Sequence, residues 1–191
     1  MTPKMIERTF SAWFIYGWGS LLAILIVALV FIVYAVLWGS VPLGPLDNSL
    51  TFTDNGAIFK INVWVVALVI YFISVVLHEL LHAVGYRWGG VPWSDIKFGI
   101  IWKGFFPYAH CKIPLAVAPY RRAIWLPGLI TGLLPTILGI AVGVEVLALY
   151  GATMLSGAVG DLLMLWDLRA LKPDALIQDH PNKAGYYLLV E

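Results

Sequence analysis

Five consecutive residues, His78-Glu79-Leu80-Leu81-His82, have the spacing of a metal-dependent hydrolase. On a helix His78 and His82 stand one turn apart on one side, so both imidazoles can reach a single ion. Zinc accepts neutral imidazole nitrogen at about 2.0–2.1 Å and, in a catalytic site, keeps one of roughly four positions for water. Glu79, about 100° round the helix from His78, can lie beside that water and take its proton. The metal lowers the pKa of the water from roughly 16 toward 7 and polarises a substrate carbonyl.

Five residues can match a motif by chance, and in a soluble helix rich in His and Glu that reading would carry weight. Here the motif ends an otherwise uncharged apolar stretch. An ionisable side chain in a bilayer costs several kcal/mol, so three on one turn need a common reason. A third ligand is required. Counting along the helix at about 1.5 Å per residue, His78 lies about 24 Å and His82 about 30 Å from the outer edge of a roughly 30 Å core. Asp161 and Asp167 come at about 22 Å and 31 Å on a later span, so depth does not separate them. Asp161 follows the small-residue run Ser156-Gly157-Ala158-Val159-Gly160, which lets helices approach closely. It is therefore the favoured third ligand, with Asp167, Glu145 and water as alternatives. His110 and Cys111 form a further polar pair that could contact substrate, the oxyanion or the metal. His180 reads as solvated in a polar tail.

The elements that position these groups must be membrane helices. Of 191 residues 61% are hydrophobic and only 12% charged, too apolar for a soluble domain of this size. A net charge of +1, with no basic run, argues against nucleic acid as a partner. The single Cys111 excludes an intramolecular disulfide. The spacing predicts four spans, at about 10–38, 61–84, 123–143 and 146–166. The first is too long for a signal peptide and reads as retained. Pro127 and Pro135 are expected to kink the third. Gly128-x-x-x-Gly132 and Gly139-x-x-x-Gly143 read first as packing surfaces, and oligomeric state is left open.

Only Lys60, of 12 basic residues, falls on the far side of this arrangement. Both termini and the 87–122 loop are therefore expected in the cytoplasm, with the chain multi-pass in the cell membrane. Arg121-Arg122, just before span three, is expected to meet lipid headgroups. That loop is rich in aromatic and apolar residues and in Gly and Pro. Two β-rich runs, about 94–103 and 106–113, meet at Lys103-Gly104 and suggest a hairpin against the mouth of the bundle. The expected fold is all-α and polytopic, about four transmembrane helices with a membrane-associated β-hairpin between the second and third. It forms one metalloprotease-like domain over 1–191.

With Asp161 on a later helix, His78-Glu79-Leu80-Leu81-His82 resembles the site-2 protease clan of intramembrane metalloproteases. More narrowly, the chain is similar to the small bacterial membrane proteins classed as "putative zincin peptidases". The motif, a loop like Tyr108-Ala109-His110-Cys111-Lys112-Ile113-Pro114, and the Ser-Gly-x-x-Gly-Asp ending at 156–161 occur there in this order. The resemblance covers roughly 61–167. It implies zinc held by His78, His82 and Asp161, with Glu79 as base, in a three-helix core. It also implies a β segment whose edge could pair with an unwound substrate. Asp161 stands in Gly160-Asp161-Leu162 rather than the Leu-Asp-Gly or Asn-Pro-Asp-Gly setting of better-known members, which puts substrate handling in doubt. The expected activity is zinc-dependent hydrolysis of a membrane-embedded or membrane-anchored peptide near the cytoplasmic face. The alternative is a non-proteolytic zinc sensor or assembly factor. A zinc transporter is disfavoured because spans one and three carry no acidic or His residues within them.

Overall fold

The computed structural model describes residues 4–42, 49–54, 57–101, 106–181 and 183–190. Three helical stretches are long and apolar enough to cross a membrane, and a fourth qualifies if a bent pair counts as one span. The first, α1 (Ala12–Trp38), begins where the Ser11 side chain accepts from the Phe14 N–H and stops at Gly39 in the left-handed region. Its Trp13, Ile24, Leu29 and Val36 side chains are exposed, so the helix presents an apolar surface. The second, α2 (Val63–Trp88), carries the H-E-x-x-H residues in its last three turns and continues past the expected end.

The third stretch starts at Val117, six residues earlier than expected, and has three parts. These are α3 (Val117–Pro127), a π-helical turn (Gly128–Leu133) and α4 (Leu134–Val142). Pro127 and Pro135 flank the π turn, consistent with the loss of two helical N–H donors. Thr131 and Thr136 hydroxyls donate to the carbonyls of Pro127 and Gly132. The glycine stripes face inward: a Cβ at Gly139 would overlap Ala148, and one at Gly132 would crowd Leu155. Gly132 and Gly139 thus pack this span on the next, while Gly143 faces Trp38 of α1.

The expected fourth span is two helices, α5 (Glu145–Gly157) and α6 (Val159–Leu168), bent by 52° at Ala158. The break falls in the small-residue run. Few side chains there bridge successive turns, and the Ser156 hydroxyl donates back to the Ala152 carbonyl.

The fold is mostly helical, yet its β content exceeds the single expected hairpin. Strands β4 (Ile96–Ile101) and β5 (Phe106–Cys111) pair antiparallel as expected, with Ile96 opposite Cys111. Their turn at Lys103-Gly104 lies outside the described residues. A second hairpin, β2 (Ser49–Asp54) with β3 (Ala57–Asn62), precedes α2. The remaining strands form a sheet in the order β1-β8-β7-β6. These are β1 (Lys4–Thr9), β6 (Leu115–Ala116), β7 (Leu176–Asp179) and β8 (Gly185–Val190). The tail is thus folded, and β1 brings both ends of the chain onto one sheet, Lys4 opposite Val190. A buried cluster including Tyr86, Val117, Tyr120, Leu168, Ile177 and Tyr186 joins the ends of α2, α3 and α6 to this sheet. The Arg121 guanidinium is bonded within the protein. Its Nη2 donates to the Leu168 and Leu171 carbonyls at 2.5 and 2.9 Å, satisfying the C-terminal end of α6.

Candidate metal centre

On α2 the exposed Leu77 and Leu80 alternate with the inward His78, Glu79 and His82. The ligand atoms of these three lie within 4.8 Å of one another. The bend at Ala158 turns the first residues of α6 toward them. Asp161 Oδ2 lies 3.0 Å from His78 Nε2, and Asp161 Oδ1 lies 3.5 Å from His82 Nε2. The two rings are nearly perpendicular, 5.0 Å apart. On the other side, β5 packs against α2, and its Ala109 lines the same cleft as Glu79. The hairpin therefore packs directly against the motif.

His82 is also held from behind. Its Nδ1 is 3.0 Å from the Ala123 carbonyl oxygen. A carbonyl only accepts, so Nδ1 carries the hydrogen. In a neutral imidazole the Nε2 lone pair then points at the Asp161 carboxylate. Two lone pairs facing each other at this distance call for a proton or a cation between them. Two imidazoles and a carboxylate with a nearby second carboxylate suit zinc, which leaves one position for water. The donor set fits the metal.

The alternatives to Asp161 lie elsewhere. Asp167 accepts from the Tyr186 hydroxyl at 2.5 Å, and Glu145 accepts from Ser40 near the end of α1. His110 lines the same cleft as His78, Glu79, His82 and Asp161, a space of about 660 Å³ that extends to Tyr16 and Lys183. Cys111 points its thiol into the core, where it donates to the Ile113 carbonyl. Burial pushes that thiol up to about 11. His180 is buried rather than solvated: its Nε2 lies 3.4 Å from Glu7, and its Nδ1 accepts from the Lys183 N–H.

One buried carboxylate was not anticipated. Asp179, on β7, accepts from the Tyr120 hydroxyl, from the Cys111 N–H at 2.7 Å and from the Tyr86 hydroxyl at 3.4 Å. His110 Nδ1 lies 3.7 Å away. Burial raises the Asp179 carboxyl above the usual carboxylate range, opposed by these donors. Tyr86 stands one turn beyond His82 on the same face of α2. That i, i+4 step was the one local sign of the cluster; nothing in the tail marked Asp179 as its partner.

Residues 71–176, more than half of the chain, match the family model described as "Putative zincin peptidase". The chain belongs to this family. The name implies zinc and a metallopeptidase, and the matched region contains His78, Glu79, His82 and Asp161. It stops before Asp179, so the sheet formed by the two ends of this zincin-family chain lies largely beyond the match. No curated protein and no solved structure matches the chain.

Proposed function

We propose that this zincin-family protein is an intramembrane zinc metalloendopeptidase, cutting a membrane-embedded or membrane-anchored peptide near the cytoplasmic face. The supporting observation is the convergence of His78 and His82 Nε2 on the Asp161 carboxylate, beside Glu79, at one end of an apolar bundle. His78, His82 and Asp161 would hold the zinc. When bound there, zinc polarises the scissile carbonyl and acidifies a water. Glu79 takes the proton from that water on its carboxylate and passes it to the departing amide nitrogen, the work of a general base that becomes a general acid. His110, in the same cleft, contacts the substrate.

The orientation rests on charge: 11 of the 12 basic residues lie on the side of the motif, and only Lys60 on the other. The pairing of β1 with β8 supports both termini sharing that side. Phe98 and Ile100 are exposed on β4, which supports a hairpin resting against lipid.

Glu79→Gln keeps the ligand set and removes the base. Zinc stoichiometry should be unchanged in the purified variant. Cleavage of membrane peptides should fall by about 10²–10⁴-fold. Cleavage at the wild-type rate would overturn the catalytic role. Stoichiometric zinc in a wild type whose deletion changes no membrane peptide would favour the sensor.

A further inference from the structure

We propose that Pro127 is a positioning residue for His82, freeing the Ala123 carbonyl to fix which imidazole nitrogen faces the metal centre. Its functional meaning rests on the zinc reading above, while its geometry does not.

In a continuous α-helix the Ala123 carbonyl would accept from the N–H of residue 127. Residue 127 is proline, which has no N–H and whose ring pushes the carbonyl four residues back away from the helix axis. The next N–H, that of Gly128, donates to the Trp125 carbonyl instead. The Ala123 oxygen is taken by His82 Nδ1 from the neighbouring helix, at 3.0 Å in a buried contact. A second residue makes this reach feasible. Gly85, one turn along α2 from His82, lies so close to α3 that a Cβ there would overlap the Ala123 backbone.

The consequence is chemical. An imidazole without a fixed acceptor distributes its proton between two nitrogens, and the form protonated at Nε2 has no lone pair for a metal on that side. With Nδ1–H held by Ala123, Nε2 is the ligand atom, and it already points at Asp161. Outer partners of this kind typically contribute about 10–100-fold to metal affinity. Pro135 provides the control. It lies in the same broken span at the start of α4, four residues after Thr131 rather than Ala123.

The test uses the full chain in detergent, labelled with ¹⁵N-histidine. The wild type should show a His82 Nδ1–H that exchanges slowly with solvent, whether Nε2 is protonated or bound to zinc. In Pro127→Ala the new N–H competes for the Ala123 oxygen. The His82 Nδ1–H should exchange about 10-fold faster or more, and zinc affinity, measured by chelator competition, should fall about 10-fold. Pro135→Ala should leave both unchanged. Unaltered exchange and affinity in Pro127→Ala overturn the proposal. So does a wild type without a protected Nδ1–H, which settles the matter even if Pro127→Ala fails to accumulate. A wild type that binds no zinc would remove the metal-centre reading instead, with the exchange measurement still testing Pro127.

Discussion

Asp161, half-buried, and Asp179, buried, are carboxylates near the same face of α2, yet their surroundings differ in kind. Asp161 meets two imidazoles whose nitrogens can release a proton and turn to a metal. Asp179 is hydrogen-bonded by two phenol hydroxyls and a backbone N–H, donors that remain donors, with the His110 imidazole farther off at 3.7 Å. The first arrangement is short of a positive charge between its members, whereas the second is satisfied as it stands. The lesson is that the partners, rather than the acidic residue, decide whether a buried carboxylate is a ligand or a brace.

Exchanging each carboxylate for its amide should separate the two roles most sharply. Asp161→Asn should weaken zinc binding by more than the roughly 10–100-fold typical of an outer partner. Asp179→Asn should leave zinc within that range or closer to wild type, as read by chelator competition. Equal losses at both positions would erase the distinction. Next in size is the thiol beside Asp179. With Cys111 held at about 11, its thiolate is scarce at neutral pH, and alkylation of the folded chain should be slowed by about 10-fold or more, the stronger nucleophilicity of the remaining thiolate offsetting part of the loss. Wild-type reactivity would mean that the region around Asp179 is open rather than packed.

Stability should respond in the opposite order to metal binding. Removing one donor with Tyr120→Phe should cost about 1.5–3 kcal/mol, the range for hydrogen bonds to a charged group, measured by denaturant unfolding of metal-free protein. The smallest effect is on pH dependence. Burial holds the Asp179 carboxyl above the usual range, so just above that range the folded chain retains a proton that the unfolded chain has released. Its contribution to stability is complete below the unfolded pKa and is lost as pH rises through the folded one. Asp179→Asn should remove that decline. A steeper decline in the variant would show that the carboxyl is not the group responsible.

Much of the helical framework was legible because apolar length is a local property. α1 falls within the expected 10–38 span, and Gly, Pro and β-rich runs marked the β4–β5 hairpin. The misses have physical causes. The early start of α3 escaped notice because Arg121 and Arg122 looked like a membrane boundary, although Arg121 is spent on α6 carbonyls. The tail looked polar and solvated. Its Tyr186-Tyr187-Leu188-Leu189-Val190 run becomes a strand only by pairing with β1 on one side and β7 on the other.

By itself the sequence determined the pair His78 and His82 with Glu79 between them, because one helical turn brings those residues together wherever the helix lies. It also favoured Asp161 through the small residues before it. Only the tertiary structure decided that Asp161 reaches both imidazoles across 83 residues of sequence from His78. It likewise decided that Asp179 meets Tyr86 across 93, and that a proline-freed carbonyl meets His82 across 41. A helix repeats every 3.6 residues and records its own faces. Which faces meet is set by the 52° bend at Ala158 and the close approach at Gly85, and those depend on how the helices pack.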